Sequence, residues 1–138
     1  MASFVKYECF SEDLAKKVHN LDTDTLKVML SNTAPNVATH AVRASASEIA
    51  AGNGYTAGGI DTQNATSRSG GVTSVTGVDV VFTATGSVGP FRYAILYNDT
   101  PTSPADPLIG YWDYGSSISL ANGETFTVDF GSSLFTLT

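Results

Sequence analysis

FRYAILYNDTPTSPADPLIGYWDYG, residues 91–115, holds six of the chain's fourteen aromatic residues and reads as two strands joined by a proline-rich loop. Side chains of a strand alternate between its two faces. On the first strand Phe91, Tyr93, Ile95 and Tyr97 share one face, and Arg92, Ala94, Leu96 and Asn98 share the other. On the second, Leu108, Gly110, Trp112 and Tyr114 oppose Ile109, Tyr111 and Asp113. Both faces of this hairpin are therefore apolar. Such strands are either central and covered on both sides, or covered on one side by another chain. Trp, Tyr and Arg are the residues most enriched at binding hot spots, so Tyr97, Tyr111, Trp112 and Tyr114 are candidate interface residues.

Working outward, the hairpin sits among other short strands. DTLKVMLSNTAP (24–35) alternates Leu26, Val28 and Leu30 with Lys27 and Met29, and Pro35 ends it. VDVVFTAT (78–85) places Val78, Val80 and Phe82 on one side. SISL is a short strand, Asn122-Gly123 a hairpin turn, TFTVDF (125–130) a strict alternation of Phe126, Val128 and Phe130, and SLFTLT a closing strand. Residues 61–77 are a polar loop or weak strand. Ser45 or Ser47 is placed to cap a helical turn through Glu48, Ile49 and Ala50 that Gly52 ends. Four glycines in GNGYTAGG (52–59) mark backbone at positive φ or in close approach, with Tyr55 anchoring the loop to the body. Seven or eight short strands between Gly, Pro and Asn turns, without a βαβ rhythm, give an all-β fold: an antiparallel β-sandwich or barrel.

The N-terminal segment is different. In SEDLAKKVH, Ser11 is a possible N-cap, Glu12 and Asp13 suit the positive end of a helix, and Lys16, Lys17 and His19 suit its negative end. The expected organisation is an N-terminal arm over 1–22, a short helix or an extended segment, followed by a β-sandwich domain over 23–138. Phe4, Tyr7 and Phe10 make the arm a further candidate contact surface.

The bulk properties narrow the function classes. A chain of 138 residues is long enough to bury about two thirds of its unfolded surface in one core. Charged residues are only 14%, against about 25% in an ordinary globular domain, as expected of a β-rich structural protein or one partly covered by partners. The net charge of −6 argues against nucleic acid as a partner. The negative charge lies mainly in residues 49–138, which carry two basic and seven acidic groups. The single cysteine, Cys9, precludes an internal disulfide and fits a reducing compartment. The first residues lack the apolar core of a signal peptide, and no apolar run reaches the ~20 residues of a membrane span. Synthesis in a cytoplasm, without a membrane partner, is the expectation.

Chemistry-bearing patterns are sparse. His19 and His40 flank no G-x-S-x-G elbow, so neither is expected to be catalytic. Cys9 and the two histidines have no metal-ligand spacing, and AGNGYTAGG lacks the Lys-Ser/Thr of a phosphate-binding loop. Asp22 and Asp24 either bind a cation weakly or hold a turn. Asp99, Asp106 and Asp113 lie on or near the aromatic hairpin, which brings glycoside hydrolysis into view, but Asp99 and Asp106 precede prolines as turn-formers do. No catalytic residue, metal or cofactor is expected.

DLAKKVHNLDTDTLKVMLSNTAP, EIAAGNGYTAGG, GPFRYAILYNDTP, DPLIGYWDYG and GETFTVDF, in this order, resemble small structural proteins of tailed-bacteriophage morphogenesis modules, over most of the chain except 61–77. The resemblance implies a virion protein made in the bacterial cytoplasm, of head-decoration (cement) type with a jelly-roll-like sandwich. It implies the major capsid protein as partner, self-association as a dimer or trimer, and a place on the head surface. The alternative is a tail or fibre module that binds host-surface glycans through the same hairpin.

Overall fold

The computed structural model describes residues 3–138. Among these residues the strands are β1 (Phe4–Lys6), β2 (Leu26–Ser31), β3 (Ile60–Asp61), β4 (Ala65–Ser69), β5 (Val72–Thr76), β6 (Val80–Thr83), β7 (Val88–Asn98), β8 (Leu108–Leu120), β9 (Thr125–Val128) and β10 (Phe135–Leu137). One helix, α1, spans Cys9–Ala15. The fold is all-β, and every named pairing is antiparallel. The sheets are β1-β8-β7-β2-β3, β10-β5-β4 and β6-β9. Pairings are nested about the hairpin: β7 pairs with β8, β6 with β9 and β5 with β10.

The aromatic hairpin is the middle of the five-stranded sheet, and both its faces are covered by the chain itself. On one face Leu26, Val28, Leu30, Ala94 and Leu96 share a core with Val80, Phe82 and Val128 of β6-β9 and with Val75 and Phe135 of β5 and β10. On the other, Met29, Tyr93, Ile95, Tyr97 and Leu108 pack with Tyr7 and with Val37 and Ala46 of the 32–47 segment. That segment is tied down by backbone bonds, Glu8 N–H to Val37 O (3.1 Å) and Leu108 N–H to Ala41 O (3.0 Å). Of the two covers open to a doubly apolar strand, this chain uses its own loop.

Several local expectations are corrected. Phe91 does not share a face with Tyr93, Ile95 and Tyr97. Register shifts lie between Val88 and Phe91 and between Phe91 and Tyr93, and they turn Phe91 into the larger core. SISL is not a separate strand but the end of β8. The polar 61–77 stretch forms the β4-β5 hairpin, in which Val75 is the buried anchor. The helical turn lies at Arg43–Ser45 rather than 48–50, and Glu48 instead bridges Ser31. All four glycines of 52–59 have positive φ, as their clustering indicates, and Tyr55 is buried. Helix α1 starts two residues before Ser11, with Glu8 at its N-cap, and Phe10 is the side chain it buries.

Nor is the N-terminal segment a separate arm. β1 pairs with β8 from Phe4↔Trp112 to Lys6↔Gly110, and the Tyr7 N–H donates to Ile109 O at 3.0 Å. Residues 1–2 of the expected arm lie outside the described residues. The absence of a side chain at Gly110 lets this strand approach, because a Cβ there would overlap the Phe4 ring and crowd the Val5 carbonyl. Gly110→Val is therefore expected to displace β1 and to lower stability by about 2–3 kcal/mol, read from urea denaturation. An unchanged midpoint would show that β1 is not held against β8.

Candidate binding groove

The longest strands, β7 and β8, carry the functional candidates to one end of the five-stranded sheet. Tyr93 pairs with Asp113, but the next pair is Phe91↔Ile118, so residues 114–117 of β8 have no opposite number on β7. The strand swings out there, and Tyr114 reaches solvent at 55% exposure. Beside it Arg92 grips Asp113 through two bonds, Nε to Oδ1 at 2.8 Å and Nη2 to Oδ2 at 3.1 Å. The same guanidinium lies over the Tyr93 ring at 5.4 Å. Its hydrogen bonds hold the Asp113 carboxyl below the usual carboxylate range.

A groove of about 450 Å³ opens between this end of the hairpin and β9. Arg92, Ala94, Trp112 and Tyr114 line it from the hairpin, and the continuous run 126–129, the end of β9 and the residue after it, lines it from the other side. Its rings brace one another at 4.9–5.6 Å: Trp112 against Phe4 and Phe130, Tyr114 against Phe126, and Phe126 against Phe91. A rigid, half-exposed aromatic surface contributes contact area at low entropic cost, the property that makes Trp and Tyr common at binding sites.

Of the candidate interface residues, Trp112 and Tyr114 meet in the groove, and Phe4 supports it from behind Trp112, stacked on Phe135 at 5.0 Å. Tyr111 is half-buried on the opposite face, edge-on to Tyr7 and Tyr93. Tyr97, Tyr7 and Phe10 are interior residues and form no surface. Tyr97 donates its hydroxyl to Gly58 O at 2.6 Å under the Arg43 guanidinium. Tyr7 fills the smaller core, and Phe10 packs edge-on against Phe135 and His19. Apolar alternation cannot distinguish a ring covered by another chain from one covered by a distant loop of its own chain. Phe126 and Asp129 were not singled out from the sequence, since only the β6·β9 pairing brings the 126–129 run to the hairpin.

Asp99 and Asp106 lie together, burial and then the neighbouring Asp99 raising the Asp106 carboxyl above the usual range, but away from the groove. Asp99 pairs with Lys27 at 3.1 Å and Asp106 lies 4.0 Å from Arg43, both at the loop end of the hairpin. Asp113 is at the other end, four β7 residues from Tyr97, or about 14 Å by strand rise. Asp22 and Asp24 hold structure: Asp22 accepts from the Thr66 N–H and hydroxyl, and Asp24 from the Asn20 N–H and the Asn98 amide. Among the described residues no group of three His, Cys, Asp or Glu side chains is placed to hold a metal ion, and no helix is long and apolar enough to cross a membrane.

His19, which the sequence places at the negative end of a helix, is buried at 8% exposure. The Asn98 amide nitrogen lies 3.0 Å from its Nδ1 and also donates to Asp24. With Nδ1 accepting from that amide, a second proton on the ring has no acceptor there. Burial lowers its pKa to about 4, opposed in part by Asp24. An unfolded histidine titrates near ~6.5, so the unfolded chain takes up more protons between the two values. The stabilisation is complete above about pH 6.5 and is lost as pH falls toward 4, by up to about 3 kcal/mol. Urea midpoints at pH 7.5 and 5.0 should therefore diverge for the wild type and converge in His19→Gln. Equal pH slopes for the two proteins would contradict this assignment.

Comparison with protein-family models, with curated proteins and with solved structures finds no match for the chain.

Proposed function

We propose that this protein is a structural component of a tailed-bacteriophage virion, of head-decoration type, that seats its aromatic groove on the major capsid protein. The observation that carries the reading is the braced Trp112–Tyr114–Phe126 surface, open to solvent on a body whose other large rings are mostly enclosed. The sequence resemblance supplies the virion context. The nested pairs β5·β10, β6·β9 and β7·β8 support a jelly-roll-type sandwich as the finer description of the fold. In this reading the protein sits on the head surface as a dimer or trimer. Many copies acting together then make a modest contact per copy sufficient.

The test is titration of purified protein onto expanded shells that lack it, with bound protein measured after pelleting. Saturation at a fixed copy number per shell is expected, and linear or absent uptake would contradict the proposal. The second reading, a tail or fibre module for host glycans, is favoured by the same two rings, Trp112 and Tyr114, beside a charged pair. Glycan-array binding abolished by Tyr114→Ala, with the fold intact, would replace the first reading with it.

A further inference from the structure

The groove has a wall that is not a side chain. β9 pairs on one edge with β6, and among the described residues no strand pairs with its other edge. Four consecutive residues, 126–129, line the groove, so the β9 backbone itself borders it. The direction of its free hydrogen-bonding groups follows from the register. The Ala84 N–H donates to Glu124 O at 2.9 Å while its C=O accepts from the Gly123 N–H at 2.8 Å, a bulge at the head of the ladder, and by alternation from there Phe82↔Phe126 and Val80↔Val128 are the mutually bonded pairs. Thr125 and Thr127 lie between them and turn their N–H and C=O groups away from β6, with Thr127 lining the groove. Natural sheets protect such edges with lysine, proline or a covering segment. TFTV has neither residue, and the groove runs alongside it.

We infer that the β9 edge accepts an extended segment of another protein chain as an added antiparallel or parallel strand, with aliphatic side chains entering the groove against Trp112 and Tyr114 and a lysine or arginine beside Asp129. This deepens, and rests on, the reading of the groove as a docking surface. The backbone edge specifies the occupant's main chain, since alternate residues offering N–H and C=O groups match the spacing of another strand. Charge complementarity specifies its cation. Arg92 is neutralised by Asp113, whereas Asp129 is exposed, forms none of the ion pairs among the described residues, and belongs to a chain of net charge −6. A glycan fits less well. Asp113 Oδ1 already accepts from Arg92 and the Gly115 N–H, its Oδ2 from Arg92, and Asp129 Oδ1 from the Gly131 N–H, which leaves few carboxylate positions for sugar hydroxyls.

The experiment is an amide NMR titration of the whole protein with an acetylated, amidated heptapeptide, Thr-Val-Lys-Val-Lys-Val-Thr, at up to millimolar concentration. Saturable shifts confined to β9 and the Trp112 indole are expected, with slowed exchange of the Thr125 and Thr127 amides. N-methylation of alternate peptide residues on the pairing edge should weaken binding about tenfold, the loss of one or two hydrogen bonds. No saturable shift, or equal affinity of the N-methylated peptide, would overturn the inference, as would a soluble oligosaccharide that shifts the groove when the peptide does not. Shell binding is read separately: its loss defeats the decoration reading, whereas shell binding without peptide binding defeats strand addition alone.

Discussion

Glu48→Ala is expected to lower the unfolding free energy by about 3–4 kcal/mol. The Glu48 side chain is only 15% exposed, and both its oxygens are engaged. Oε1 accepts from Arg43 at 2.7 Å, and Oε2 accepts from the Tyr55 hydroxyl and the Gly58 N–H, each at 2.6 Å. The network continues into both flanking strands, since the Leu30 N–H of β2 donates to the Tyr55 hydroxyl and Tyr97 of β7 donates to Gly58 O. Alanine leaves the Arg43 guanidinium, the Tyr55 hydroxyl and the Gly58 amide without this acceptor. A buried polar group stripped of its partner costs more than the pair contributed. Glu48→Gln keeps an acceptor oxygen and should cost about half as much. Urea denaturation of the two variants checks the order, and a Glu48→Ala midpoint equal to wild type would show that the loop is held by its glycine turns alone.

The second large effect falls on binding rather than stability. Tyr114→Ala is expected to weaken attachment to shells by about 30- to 100-fold, the scale of a central hot-spot residue. Tyr114 is the most exposed ring of the groove and touches Phe126 alone among the aromatic residues, so its removal should change stability by less than about 1 kcal/mol. Trp112→Ala is a poorer probe, because Trp112 also packs on Phe4 and Phe130 and its loss reaches the core. Binding isotherms of Tyr114→Ala beside its melting curve separate the two effects. Unchanged affinity with an intact fold would remove the groove from the interface.

What the sequence made legible was the set of strands whose side chains alternate against a core. The hairpin at 91–115, the strand of Leu26, Val28 and Leu30, and the β6 and β9 segments were readable because burial on one face imposes a period of two. The β4-β5 hairpin was legible only as a polar loop or weak strand, because its burial is confined largely to Val75 and its other positions are Ser, Thr, Arg, Ala and the exposed Val72. Phe91 was misplaced because a bulge adds residues without changing the pattern of the letters. Tyr7, Phe10 and Tyr97 were misread for a related reason. Their covers are residues 32–47, β10 and the 58–59 turn, and nothing local in the sequence announces contacts across that distance. The groove was half legible. Trp112 and Tyr114 stand out on β8, while Phe126, Thr127 and Asp129 join them only through the nested pairing of β6 with β9.

The central claim is that the Trp112–Tyr114 groove is the face that docks on another virion chain. Hydroxyl-radical footprinting of the protein, free and bound to expanded shells, reads that face directly. The account predicts that oxidation of Trp112 and Tyr114 falls several-fold on binding while exposed residues elsewhere, such as Val78, are unchanged. Saturably bound protein in which both rings oxidise as fast as in the free chain would contradict it.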